Sequence, residues 1–208
     1  MEYLFLIIIL IFSVVIHEVS HGAIANYLGD PTAKYVGRLT LNPLKHLDPL
    51  GSVILPLFLI LIAKLSGGGI IFGWAKPVPI NPSNLRDKKY GEAKVALAGP
   101  ASNLSVALVF GLALRFIPAL SILPGFYLMF SYIVYINILL AVFNLLPIPP
   151  LDGSHLLFTF LPYSMQSIKI FLSQFGFFIL LFIIFFLFPW VSLIINWVFS
   201  LIVGVPLF

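Results

Sequence analysis

The sequence has no cysteine, which excludes disulfides, thiolate metal ligands and a cysteine nucleophile, and leaves the compartment undetermined by redox. Charge is scarce as well. Asp, Glu, Lys and Arg together make up 9% of 208 residues, against roughly 25% in a soluble domain. No polar stretch is long enough for a separate soluble domain. The N-terminal apolar run lacks the basic n-region of a cleavable leader, and cleavage near residue 23 would destroy the motif described next. The net charge of +4 does not point to nucleic acid, because the basic residues lie between apolar segments and read as topology signals. What is present is hydrophobic: 61% of the residues, with a mean hydropathy of +1.14. This composition predicts an all-α polytopic membrane protein with five to six apolar helices, forming a single integral-membrane domain over residues 1–208.

The run from residue 3 to 28 is apolar except for one cluster, His17-Glu18-Val19-Ser20-His21. Four residues apart on a helix, His17 and His21 project from one face, where two imidazoles can hold one metal ion. Glu18 lies beside them, where a carboxylate can act on a water held by that metal. A charge at the centre of a membrane helix costs at least about 2.5 kcal/mol, and ionisable groups at that depth mark function. Three such residues in five positions are not explained by packing.

The remaining chain supplies partners for this cluster. Residues 29–50 form a polar loop with Lys34, Arg38 and Lys45, in which His46 and Asp48 read as loop-holding groups rather than a second metal pair. Residues 51–65 are apolar but only about 15 long, short for a span. After three glycines, residues 70–82 read as extended, with β-branched and aromatic residues and then alternating prolines. An apolar segment over 93–116 carries the lone amide Asn103, suited to an interhelical hydrogen bond or a role at the site. Another, over 128–146, breaks at Pro147 and leads to Asp152, a carboxylate just past the break that suits the third position of a metal site better than the alternative, His155. Residues 168–188 form a clear span, and 190–205 either span or lie in the interface. Both read as scaffold for a core over residues 3–160.

Parity constrains the path. The Lys/Arg content of residues 29–50 and 76–94 places both loops on the cytosolic side, so residues 51–80 must enter and leave from one face as a re-entrant element. The following two spans then run outward and inward. Asn144 comes about 24 Å below the outer end of its helix, near the depth of about 20 Å expected for His17. The chain past Pro147 thereby returns to the His17 face.

With these residues in view, the chain resembles the site-2 protease family of intramembrane zinc metalloproteases. The match rests on His17-Glu18-Val19-Ser20-His21, on Gly99-Pro100-Ala101-Ser102-Asn103, and on Asn144-Leu145-Leu146-Pro147 followed by Leu151-Asp152-Gly153. Phe72-Gly73-Trp74-Ala75-Lys76-Pro77-Val78-Pro79 resembles the family's membrane-associated β element. The resemblance implies one zinc ion held by His17, His21 and Asp152. It also implies Glu18 as catalytic base, Asn144 positioning substrate or stabilising the oxyanion, and Asn103 assisting. The partners it implies are the lipid bilayer and a transmembrane protein or peptide, locally unwound for cleavage. It further implies a prokaryotic plasma membrane with the site toward the cytosol. The chain differs from better-known members in having no PDZ or CBS domain. Two other readings use the same ligands without hydrolysis: a membrane zinc transporter, and a catalytically silent homologue that binds membrane helices. Glu18 separates proteolysis from transport, which needs ligands but no base.

Overall fold

A computed structural model describes residues 2–66, 75–117 and 124–206. Helix α1, Glu2–Tyr27, forms because its apolar run contains no proline, and it ends at Gly29. Gly29 adopts a φ of 109°, which brings the Asp30 amide back to the Ala25 carbonyl at 2.8 Å. A short helix α2, Thr32–Tyr35, follows, and then the loop to residue 48. A π-helical turn, Pro49–Ile54, leads into α3, Leu55–Ser66. The chain continues with α4, Gly91–Phe116, α5, Pro124–Asn144, and α6, Asp152–Phe160. Helix α7, Gln166–Phe182, passes through a π-helical turn, Ile183–Leu187, into α8, Phe188–Val203. No strand occurs among the described residues.

Four stretches are long and apolar enough to cross a membrane: Phe5–Tyr27, Gly91–Phe116, Gly125–Asn144 and Tyr163–Val203. The protein is thus an all-α integral membrane protein. Helix α3 is not among the four, since its 12 residues rise only about 18 Å against a hydrocarbon core of about 30 Å. The chain leaves for α3 just after His46 and is back beside it at Lys76, whose amide donates to the His46 carbonyl at 2.9 Å. The excursion therefore starts and ends at one place, as parity requires. Residues 70–74, expected to begin the extended segment, lie outside the described residues. From Ala75 to Asn81 the chain is neither helical nor paired as strand.

The two C-terminal apolar segments, 168–188 and 190–205, join in one helical stretch. Pro189 sits in the first turn of α8, where its missing N–H is tolerated, and the π-helical turn before it absorbs the change of register. The far end of α8 is tied to the far end of α4 by Arg115, whose Nη1 donates to the Leu201 carbonyl at 2.9 Å.

Helix α4 lies at the centre, packed against α1, α5, α6 and α8. Membrane helices gain nothing from hiding apolar surface from lipid tails, so close approach has to come from small residues. Ala107 is fully buried in a core with Val134 and Ile138 of α5 and Ile195 and Phe199 of α8. At Gly111 a Cβ would stand 2.4 Å from Ile202 Cγ2. Below the bundle, buried Asp30 gathers the connecting loops. It accepts from the Thr32 amide and hydroxyl, from Asn84 Nδ2 at 2.9 Å and from the Asn81 amide at 2.6 Å.

Candidate active site

The i, i+4 spacing in α1 stacks His17 and His21 one above the other, with their rings edge-to-face and 4.6 Å apart. Both are buried, at 6% exposure each. Their Nδ1 atoms point away from each other. His21 Nδ1 lies 2.7 Å from the Val95 carbonyl, which can only accept, so this nitrogen carries the proton. His17 Nδ1 lies 2.6 Å from Asn103 Oδ1 and donates to it in the same way. Both Nε2 atoms therefore present lone pairs, and these are 3.0 Å apart.

Asp152 completes the group. It occupies the first turn of α6, where the helix N-terminus favours a carboxylate. Its Oδ2 is 3.0 Å from His17 Nε2 and 3.2 Å from His21 Nε2. That oxygen is buried without a hydrogen-bond donor. Three acceptor atoms facing one another call for a cation between them. Ligand atoms about 2.0–2.2 Å from one zinc ion stand roughly 3.3–3.5 Å apart in a tetrahedron, a few tenths of an ångström from the spacing here. The donor set of two imidazoles and a carboxylate fits such an ion.

Two glycines make the geometry accessible. Gly99 of α4 faces the imidazoles so closely that a Cβ would sit 2.5 Å from His17 Nε2 and from His21 Nε2. Gly153 packs under the bend that delivers Asp152, where a Cβ would lie 2.3 Å from the Leu145 carbonyl oxygen and 2.4 Å from that of Leu146.

Glu18, half-buried, turns to the segment from Ala75 to Asn81. Its Oε2 accepts from the Val78 amide at 2.9 Å. Val78 lies between Pro77 and Pro79, neither of which has an N–H, and both prolines favour extended backbone in the residue before them. Lys76 is held by His46 and Asn81 by Asp30, so the amide presented to Glu18 is anchored on both sides.

Other residues singled out in the sequence lie elsewhere. Asn144, at the end of α5, donates from Nδ2 to the Leu140 carbonyl of its own helix at 3.0 Å. His155 is exposed and faces Glu92 at 3.8 Å. His46 is buried and holds its loop through Thr40, while Asp48 caps the following turn through the Gly51 amide at 2.7 Å. Among the described residues, His17, His21 and Asp152 are the one group of three His, Asp or Glu side chains close enough to share a metal. Two polar residues at the site have no role in the sequence reading: Ser13 and Asn137, which contact Asn103. An isolated amide inside an apolar helix was the available signal for Asn137, as it was for Asn103.

The chain is similar to "Putative zinc metalloprotease YwhC" of Bacillus subtilis, with 38% identity over 183 residues, 85% of this chain and 78% of that protein. The chain belongs to peptidase family M50. The family model itself matches residues 117–186, which include Asp152. "Putative zinc metalloprotease Rip2" of Mycolicibacterium smegmatis is 38% identical over 144 residues, covering 68% of this chain and 51% of that longer relative. No solved structure matches. The site-2 protease resemblance is thus borne out at the level of family, and this M50 member is an integral membrane metalloprotease by family and fold.

Proposed function

We propose that this M50 protein is an intramembrane zinc endopeptidase that cleaves transmembrane proteins within or near their membrane-spanning segments. The observation that carries the reading is the convergence of His17 Nε2, His21 Nε2 and Asp152 Oδ2, next in sequence to a carboxylate held by a main-chain amide. His17, His21 and Asp152 would hold one zinc ion, in keeping with the names of the relatives. Zinc bound there supplies a Lewis acid that polarises the scissile carbonyl and lowers the pKa of water to about 7. Glu18 takes the proton from the attacking water and returns it to the leaving amine. The Val78 amide points the carboxylate, sparing it the search among rotamers. Asn144, once released from Leu140, can turn its amide toward the developing oxyanion, a contribution of about 3–4 kcal/mol where such donors have been removed.

A helical substrate cannot react, because its amides are hydrogen-bonded and its carbonyls shielded. The substrate must unwind locally, and the non-helical segment from Ala75 to Asn81, whose Val78 amide meets Glu18, offers main chain on which it can lie. In this reading the membrane is the plasma membrane of a prokaryote, with this end of the bundle toward the cytosol, and the Lys/Arg content of the loops supports that orientation.

The test compares wild type and Glu18→Gln on single-span substrates, with zinc content measured in both. The variant should keep zinc and lose cleavage. Cleavage that survives the substitution would remove Glu18 as base, and zinc in both proteins with cleavage by neither would favour transport or a silent role.

A further inference from the structure

We propose that Asn137, which contacts none of the three ligand side chains, is a positioning residue that sets the tautomer of His17 through Asn103, so that zinc affinity depends on it. The inference rests on the zinc reading above. The Ile133 carbonyl can only accept, and Asn137 lies 2.9 Å from it, so the Asn137 atom there is Nδ2. The same Nδ2 donates to Ser13 Oγ at 2.9 Å. The other arm of that amide, Oδ1, must therefore face Asn103, at 2.9 Å. It needs a donor, which turns Asn103 Nδ2 toward it. The Ser13 carbonyl, 3.2 Å from the same Nδ2, asks for the same orientation.

Asn103 Oδ1 is then left for His17, so Nδ1 of His17 must carry its proton. In a neutral imidazole that leaves the Nε2 lone pair free for the metal, on the side of His21 and Asp152. Ser13, Asn103 and Asn137 are all buried, at 3%, 0% and 0% exposure, so no water substitutes for a missing partner. His21 obtains the same result in one step from a main-chain carbonyl. His17 has no such carbonyl in contact, and its tautomer is relayed from α5 through α4.

The experiment measures zinc affinity by chelator competition in the full-length protein. Asn137→Leu removes the relay's first amide and should weaken zinc about 10- to 100-fold, the usual range for groups that orient a ligand. Asn137→Asp, protonated in this apolar setting, keeps one acceptor for Asn103 and one donor, and should restore affinity to near the wild-type value. Val134→Ala, three residues away in the same helix and equally buried, is the packing control and should lower thermal stability without moving zinc affinity. The tautomer itself is read without any variant, so a failure of Asn137→Leu to fold leaves the proposal testable. Labelling the four histidines with ¹⁵N in zinc-loaded wild type should show His17 protonated on Nδ1. Equal losses in Asn137→Leu and Val134→Ala, or a proton on His17 Nε2, would each overturn the proposal. None of these readouts involves cleavage, so the role of Glu18 can fail while the relay stands, and the reverse.

Discussion

Replacing Gly99 by alanine adds one methyl group at the most crowded point of the site. The new Cβ would stand 2.5 Å from His17 Cε1, His17 Nε2 and His21 Nε2, about 1 Å inside ordinary van der Waals contact. Neither ring can step aside on its own, because Asn103 holds His17 and the Val95 carbonyl holds His21. The strain has to move α1 away from α4 or tilt the imidazoles, whereas ligand positions are tolerated only within about 0.2 Å. Overpacking of this kind costs about 1–3 kcal/mol. If the relaxed state is the one that no longer holds the metal, zinc weakens by about 5- to 150-fold at 1.4 kcal/mol per decade. Chelator competition reads this directly, and cleavage at saturating zinc tells lost affinity from lost geometry. Gly125→Ala is the control, because a Cβ there meets nothing within 4 Å. Zinc affinity within twofold of wild type in Gly99→Ala would refute the claim that this glycine sets the room for the ligands.

Three further outcomes follow from the same geometry. Gly153→Ala would drive a Cβ against the carbonyl oxygens of Leu145 and Leu146, which are backbone and cannot rotate away; zinc affinity and melting temperature should both fall, and normal zinc binding would contradict the fit. Arg115→Met removes the cation from the end of α8 and should lower stability by about 0.3–1 kcal/mol while leaving zinc untouched, as a thermal melt with and without chelator would show. Asp30 lies outside the membrane spans; burial alone would push its carboxyl up, but hydrogen bonds from Thr32, Asn84 and Asn81 outweigh it and hold the pKa below the usual value. A lowered folded-state pKa contributes stability that is present above the unfolded pKa and lost as pH falls through the folded one. Protection from hydrogen exchange over residues 75–86, corrected for the intrinsic rate at each pH, should therefore hold steady from neutral pH down to the ordinary carboxylate range and fall below it, and Asp30→Asn should lower it at neutral pH.

What could be read from the sequence depended on distance along the chain. His17, Glu18 and His21 were legible because helix periodicity acts over four residues and an apolar run makes polar exceptions conspicuous. The return of residues 51–80 to one side was legible because loop charge constrains parity, and His46 and Lys76 meet as that argument requires. Asp152 was favoured over His155 by its place just past the break and by resemblance, and the structure brings Asp152 to the histidines and leaves His155 on the surface. Hidden from the sequence were contacts that depend on how helices rotate against one another. Asn103 could face a neighbour or the site, and it does both. Nothing in the pattern of α5 said that Asn137 faced Asn103, or that the Val78 amide, 60 residues away, would reach Glu18. The union of α7 and α8 was hidden too, because Pro189 reads as a break and only the π-helical turn before it makes the helix continuous.

The prolines beside Glu18 have a consequence for any guest peptide. Of the main-chain amides from 76 to 82, Pro77, Pro79 and Pro82 have no hydrogen, and those of Lys76, Val78 and Asn81 are already given to His46, Glu18 and Asp30. Among the described residues that leaves Ile80 as the one amide of this rail with a hydrogen to offer. A chain laid along it would be gripped through its own N–H groups, with its carbonyls left unclaimed and free to turn toward the metal. Grip of this kind reads backbone hydrogens rather than side-chain identity. Guests of unrelated sequence should then compete on equal terms, and a guest with N-methylated amides should not compete at all.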